Sequence, residues 1–339
     1  SELGSEDGMM IKALAGGGGR GTGVVRTGDD VESVYRRCQS EAKTAFGNSE
    51  VYVEEYFSNA RHIEVQIVGD KHGTIRHLGE RECSVQRRYQ KIIEVAPAAG
   101  LPDDARKNVI SAALRLAKKV GYSSLGTFEF LVDTSTESSE TRFVFLEANA
   151  RLQVEHTITE EVTGIDLVRA QIQIADGASL DNIGITEASA APSGYAIQCR
   201  VNMESLAQDG TIKPSFGTIS AYEPPNGPGV RTDGFGYAGY KINTSFDSLL
   251  AKVITHSRSN QFDDAIRKAI RALSEFRLEG LSVNIELLQA ILNHPDFAES
   301  HIHTRWLDEN LAVLADASNG EPALNAGAIT QKVSQDSGY

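Results

Sequence analysis

The sequence has 339 residues, 40% hydrophobic and 23% charged, enough for a substantial core in one large or two linked domains. It carries 33 Lys and Arg against 46 Asp and Glu, a net charge of −13, which argues against nucleic acid as a partner because that needs a basic face. No apolar run approaches ~20 residues and no signal peptide is visible, so the expected setting is not a membrane but the cytoplasm, or the mitochondrial matrix in a eukaryote.

In chain order, Ser1 to Gly8 reads as a loose lead. Met9 to Leu14 is a predicted strand that runs into Ala15, Gly16, Gly17, Gly18, Gly19, Arg20 and Gly21. Gly16, Gly18 and Gly21 satisfy G-x-G-x-x-G, but in a dinucleotide fold those glycines open a helix, and here another extended stretch, Thr22 to Arg26, follows. A Walker loop fails too, because Thr22 stands where Lys is required. What remains is strand, glycine loop, strand: a flap whose backbone N–H groups can lie over phosphates, with Lys12 reaching them as a point charge. A merely flexible linker has the same composition. A helix follows from Asp30 to Phe46, with Val31, Val34, Cys38, Ala42 and Ala45 on one stripe and Gly47 as its stop. Val51 to Glu55 leads out as a strand.

Strands are expected at about 61–69, 74–84 and 91–95, then a helix from Leu101 to Val120 closed by Gly121. Gly126 to Val132 reads as a strand, Asp133 to Thr141 as a polar loop, and Phe143 onward as the returning strand. Folding about the loop's middle, near Ser138, pairs residues whose numbers sum to roughly 276, which sets Glu129 opposite Glu147. Two carboxylates ~5 Å apart need a cation between them or a retained proton. With an amide oxygen from Asn149 they suit Mg²⁺, which also binds substrate phosphates; two solvated glutamates are the plainer possibility. From Glu147 to Glu155 polar residues occupy every odd position, a row of ~26 Å if the segment stays extended at ~3.3 Å per residue. Alternation alone favours an ordinary half-buried strand.

Residues 159–176 form a predicted helix. Beyond Ala188 the character changes, with strands at 194–202, 217–222 and 249–255 covered by helices at 260–277 and 283–293, and a turn or two at Thr304 to Leu311. Ser318 to Tyr339 reads as a linker or tail. Cys38, Cys83 and Cys199 are odd in number and scattered, which suits a reducing compartment and gives no metal pattern.

Taken together, several words of this sequence are recognisable. They are Ile11-Lys12-Ala13 with the glycine loop, Val53-Glu54-Glu55-Tyr56-Phe57, Arg61-His62-Ile63-Glu64, and the run Gly79 to Lys91. Gly126-Thr127-Phe128-Glu129, Phe145 to His156 and Cys199-Arg200-Val201-Asn202 complete the set. From about Met9 to Leu311 the chain resembles the biotin carboxylase component of biotin-dependent carboxylases, in the ATP-grasp superfamily. The resemblance implies an α+β ATP-grasp fold: a small lid over 1–57, a core carrying the Mg-ATP and bicarbonate sites over 58–187, a C-terminal biotin carboxylase subdomain over 188–317, and a tail.

It also implies roles. Lys12, Gly16, Gly17, Gly18 and Gly19 would hold phosphates, Glu54 and Phe57 adenine, and His62 and Gln86 the ribose and phosphates. Glu129, Glu147 and Asn149 match ligands of Mg²⁺ or Mn²⁺, the two glutamates also facing ATP. Lys91, Arg151, Gln153 and Val154 match a bicarbonate cradle, Glu155 the general base, and Arg200 the cation near bicarbonate and biotin. The implied partners are a biotin carboxyl carrier domain, a carboxyltransferase domain or subunit, and a second copy in a homodimer. No Lys adjoins any Met, so a Met-Lys-Met biotin attachment site is absent and biotin is expected from elsewhere.

Departures from the family pattern are Tyr89 where many members carry His, Glu55 where Lys is common, Thr157 without the usual Pro beside it, and Phe216 within a Pro-Ser-Pro-Gly word. The Rossmann-like N-terminal domain of family members is not in this sequence, so an incomplete nucleotide site is expected. Another ATP-grasp ligase forming an acyl phosphate, carbamoyl phosphate synthase-like, is the alternative enzyme; an inactive interaction module is the alternative outside enzymes.

Overall fold

The computed structural model describes residues 8–15, 20–26, 28–133, 142–207, 211–243 and 247–319, with side chains to 315. Gly16, Gly17, Gly18 and Gly19 lie outside the described residues, as does nearly all of the expected tail.

A small unit comes first. Strands β1 (Met9–Ala13), β2 (Thr22–Val25) and β3 (Val51–Glu55) form an antiparallel sheet in the order β2-β1-β3, crossed by helix α1 (Val31–Phe46). Asp30 caps α1 by accepting from the N–H groups of Glu32 and Ser33, and Gly47 ends it in the left-handed region at φ 74°. Ile11, Val25 and Cys38 form the core between helix and sheet. Gly23 allows that approach, since a Cβ there would sit 2.7 Å from Val34 Cγ1.

The chain then builds β4 (Ala60–Gly69), β5 (Ile75–Arg87), β6 (Gln90–Ala96), α2 (Asp103–Lys119), β7 (Ser124–Asp133), β8 (Phe143–Asn149), α3 (His156–Thr163) and α4 (Leu167–Ala175). After these come β9 (Tyr195–Asn202), the short strands β10 (Glu204–Leu206), β11 (Ile212–Pro214) and β12 (Ala221–Glu223), β13 (Val230–Gly234) and β14 (Leu249–Ser257). The C-terminal part adds α5 (Phe262–Glu275), β15 (Arg277–Glu279), α6 (Ile285–Asn293), α7 (Pro295–Ala298) and α8 (Trp306–Asn319). Eight of the strands join in one antiparallel sheet, in the order β13-β14-β9-β6-β5-β4-β7-β8.

Strand alternation places the chemistry. On β4, Ile63, Val65 and Ile67 pack with Phe128, Phe130 and Val132 of β7 against α2. The residues between them, His62, Glu64 and Gln66 on β4 and Thr127 and Glu129 on β7, therefore face the other side, and all five are buried. A second core lies where β6, β9 and β14 meet α5, α6 and α8.

Four expectations change. The helix at 159–176 is two helices, α3 and α4, because Gly164 takes φ 72° and ends the first, while Asp166 caps the second through the Arg169 N–H. The helix at Thr304 to Leu311 begins at Trp306 and reaches Asn319. The strand at 217–222 shrinks to β12, and β13, preceded by a run rich in Pro and Gly, went unrecognised. The extended row from Glu147 to Glu155 stops at Asn149, and Glu155 sits at the N-terminus of α3. Among the described residues no helix is long and apolar enough to cross a membrane.

Candidate active site

Four charged residues stand abreast on neighbouring strands. Arg81 on β5 is register partner of Glu64 on β4, Glu64 of Glu129 on β7, and Glu129 of Glu147 on β8. The 276 register is thus realised. Like charges opposed across a sheet repel, and cations from several sides answer them here. Arg81, fully buried, donates to Glu64 Oε1 through Nε, to Gln66 and Thr159 through Nη1, and to Thr127 and Gln153 through Nη2. Lys91 Nζ, from β6, lies 2.6 Å from Glu64 Oε2, 3.4 Å from Glu129 Oε1 and 2.5 Å from Glu155 Oε1. Groups such as Glu64, Cys83 and Glu155 place three donor atoms within 4.8 Å of one another, as a metal site would. The Lys91 ammonium already bonds two of those carboxylates.

The electrostatics follow. Burial alone would raise the Glu64 carboxyl, but Arg81 and Lys91 hold it below the ordinary range. Burial would likewise lower Lys91, yet surrounding Cys83, Glu64, Glu155 and Glu129 push it well up. Glu129 is held down to about 2: burial opposes this, and contact with His62, Lys91 and Gln153 outweighs it. His62 Nε2 stands 2.9 Å from Glu129 Oε2 but is not aligned to donate a hydrogen bond. Gln86 Nε2 lies 2.6 Å from His62 Nδ1 and donates to the Cys83 carbonyl, which ties two expected nucleotide residues together beneath Glu129.

At the row's open end, Asn149 Nδ2 donates to Glu129 Oε1 at 2.9 Å and to Glu147 Oε1 at 3.0 Å. The amide thus bridges two carboxylates, one buried and one exposed. Two carboxylates and an amide oxygen are the donor types a hard divalent cation takes; here the Asn149 NH₂ group faces the carboxylates, so its Oδ1 would reach a cation between them only after the amide turns. Gln153 Nε2 also donates to Glu129 Oε1, at 2.6 Å. Arg151 is exposed and, among the described residues, makes only long contacts, to the Leu152 carbonyl at 3.2 Å and to Asn149 Oδ1 at 3.3 Å.

Glu155, buried, is shared between Lys91 on Oε1 and Arg200 Nη2 on Oε2, the latter at 3.1 Å. Arg200 comes from β9, where it is register partner of Lys252 on β14. The Val154 carbonyl accepts from Lys252 Nζ at 2.9 Å. On the lid, Lys12 pairs with Glu54 across β1 and β3, so two expected nucleotide contacts neutralise each other. Phe57 is buried with the Arg142 guanidinium 4.8 Å from its ring centroid.

The structure therefore links Lys91, Glu129, Glu147, Asn149, Gln153, Glu155 and Arg200 in one cluster of contacts, with His62 beside Glu129, Gln86 beside His62, and Arg151 beside Asn149. Sequence reasoning gave no role to Glu64, Glu94 or Lys252. Glu94 shows the one usable signal: a lone carboxylate between Ile92, Ile93 and Val95 has to be buried and paired.

The fold and this cluster of charged side chains define an ATP-grasp protein. A model of the carbamoyl-phosphate synthase L chain ATP-binding domain matches residues 8–183, and one of the biotin carboxylase C-terminal domain matches 198–309. The pyruvate carboxylase of Aspergillus terreus (strain NIH 2624 / FGSC A1156) is 47% identical over 308 residues, 91% of this chain and 25% of that protein. The mitochondrial pyruvate carboxylase of Homo sapiens is 45% identical over 303 residues, 89% of this chain and 25% of that one. Among solved structures, the biotin carboxylase–β,γ-ATP complex of Campylobacter jejuni aligns with a TM-score of 0.83 and 39% identity, covering 91% of this chain and 66% of that one. The biotin carboxylase domain dimer of Hydrogenobacter thermophilus 2-oxoglutarate carboxylase, with MgADP, ADP and bicarbonate, gives 0.84 and 38% over 92% and 66%. The chain belongs to the biotin carboxylase family. It spans about a quarter of the length of the pyruvate carboxylases it matches.

Proposed function

We propose that this chain carries out the biotin carboxylase half-reaction, in which ATP and bicarbonate carboxylate biotin presented by a carrier domain. The observation that carries the reading is Glu155, a buried carboxylate held between Lys91 and Arg200, with Arg151 nearby in sequence, exposed and held by two long contacts. An anion entering among those cations competes for their N–H groups and releases a carboxylate oxygen of Glu155 beside it.

Bicarbonate, oriented by the Arg151 fork and the Gln153 amide, loses its proton to Glu155 as its oxygen attacks the γ-phosphorus. The P–O bond to ADP breaks and carboxyphosphate forms. Carboxyphosphate then splits to CO₂ and phosphate. The phosphate takes the ureido N–H proton of biotin, the nitrogen bonds to CO₂, and Arg200 stabilises the enolate that forms between. Glu129, Glu147 and Asn149 would hold Mg²⁺ or Mn²⁺, which neutralises phosphate charge when bound. Lys12, Glu54, Phe57, His62 and Gln86, with Gly16, Gly17, Gly18 and Gly19, serve the nucleotide in this reading; Lys12 exchanges Glu54 for phosphate.

The same reading assigns the carrier and carboxyltransferase functions to other domains or subunits, consistent with relatives four times as long, and a homodimer, consistent with the dimeric 2-oxoglutarate carboxylase domain. A reducing compartment, cytoplasm or mitochondrial matrix, suits three free buried cysteines. The test is ATP cleavage that requires bicarbonate and is stimulated by free biotin, measured on the chain alone and with the N-terminal domain of a relative supplied in trans. Bicarbonate-independent cleavage, or none in either form, overturns the reading.

A further inference from the structure

Arg200 is held by two carboxylates of unlike surroundings. Its Nε donates to Glu94 Oε1 at 2.6 Å and its Nη2 lies 2.5 Å from the same oxygen, while Nη2 also donates to Glu155 Oε2 at 3.1 Å. Glu94 is wholly inaccessible to solvent, on β6, and its register partner on β9 is Gln198. Gln198 Nε2 donates to Glu94 Oε2 at 2.9 Å, and the Gln198 oxygen accepts from the Thr157 hydroxyl. Thr157 lies in the first turn of α3, two residues after Glu155. The side chains therefore close a ring: Glu155, Arg200, Glu94, Gln198, Thr157 and back to Glu155 along the backbone. Gln198 and Thr157 are as fully buried as Glu94. Among the described residues Arg200 Nη1 has no partner, so one edge of the guanidinium is uncommitted.

This arrangement meets a difficulty in the proposed chemistry. Were Glu155 the sole anchor of Arg200, its protonation by bicarbonate would weaken the hold on Arg200 just before that cation is needed by biotin. Glu94 is an anchor that the reaction does not titrate directly. A charge-assisted bond out of water is stronger than one at the surface, and Gln198 and Thr157 fix the Glu94 carboxylate against turning.

We propose that Glu94 is a positioning residue for the second half of the reaction: it keeps Arg200 in place after Glu155 has accepted a proton, so that the guanidinium meets the biotin enolate. The inference rests on the reaction proposed above. The test therefore pairs kinetics with a readout independent of turnover.

In Glu94→Gln, which keeps the volume and removes the charge, the ratio of biotin-stimulated to unstimulated bicarbonate-dependent ATP cleavage falls at least about tenfold, the scale of losing part of one transition-state contact. A structural role alone lowers both rates together, and a ratio within about twofold of the parent overturns the proposal. Independently, the Arg200 Nε–H resonance, assigned by its loss in Arg200→Lys, exchanges slowly with solvent in the parent and about tenfold faster in Glu94→Gln. Equal exchange in the two proteins also overturns it. If the parent cleaves no ATP, the functional reading fails by itself, and the exchange rates still decide whether Glu94 holds Arg200.

Discussion

Glu64 on β4 and Glu129 on β7 are register partners in adjacent strands, both buried, and Lys91 Nζ reaches each of them, at 2.6 and 3.4 Å. Glu155 shares the same ammonium at 2.5 Å. Three carboxylates thus share one ammonium from β6, beyond the intervening β5, while Arg81, Gln153 and Arg200 each bond one of the three. The site is charged first and shaped second: its geometry exists because these charges could not be buried separately.

Replacing Lys91 by Met should destabilise the fold by about 3–5 kcal/mol, the scale of leaving buried charge uncompensated. The deficit should also depend on pH. Without the ammonium Glu64 and Glu129 lose one of the cations that hold their carboxyls below the ordinary range, so the stabilisation they contribute above their unfolded values, which is lost as pH falls, is smaller in the variant. Urea unfolding at pH 7 and 3.5 should show the larger deficit at pH 7. A deficit equal at both values would mean that the carboxylates do not rely on Lys91.

Glu129 shows the same sign by itself. Its folded carboxyl is held at about 2 against an ordinary 4.5, so its stabilisation is fully present above 4.5 and disappears as pH falls toward 2. The gap corresponds to roughly 3 kcal/mol at neutral pH. The stability difference between the parent and Glu129→Gln should shrink by about 1 to 1.5 kcal/mol from pH 7 to pH 3.5. No change across that interval would contradict the pairing.

Much of this was legible beforehand, and the failures have physical causes. Glu129 faces Glu147 because hairpin pairing is fixed by the loop's midpoint, a local quantity readable from residue numbers. The odd-position row from Glu147 to Glu155 looked like continued strand because alternation reports only neighbours. The chain turns after Asn149 because Glu155 is drawn to Lys91 and Arg200, 64 and 45 residues away in sequence. Gly164 splits a helix that its apolar stripe alone would continue, since ending α3 there aligns α4 on β7. The apolar neighbours of Glu94 mark it as buried and paired, but not with what: its partners lie on β9, more than a hundred residues on.

Arg151 presents a different test, because among the described residues it has no short contact. Its contacts to the Leu152 carbonyl and Asn149 are both beyond 3.1 Å, and its planar fork is free to take a bidentate anion. Arg151→Lys keeps the charge and loses the fork. Bicarbonate-dependent ATP cleavage should drop roughly 10²-fold, the scale of one lost transition-state contact, with little change in thermal stability. Near-parental rates would remove Arg151 from the cradle.

Glu155→Gln separates binding from chemistry. The amide keeps the volume and can accept from either Lys91 or Arg200, but it cannot take a proton from bicarbonate. Nucleotide binding in the presence of Mg²⁺ depends on Glu129, Glu147 and the lid in this reading, none of which bonds to Glu155. The dissociation constant for the Mg-nucleotide, measured by calorimetry, should therefore stay within about threefold of the parent, while bicarbonate-dependent turnover falls by roughly 10²–10⁴-fold, the usual contribution of a positioned base. Parallel losses in both quantities would identify Glu155 as a structural counter-ion of Lys91 and Arg200, and the proton would then have to leave bicarbonate by another group.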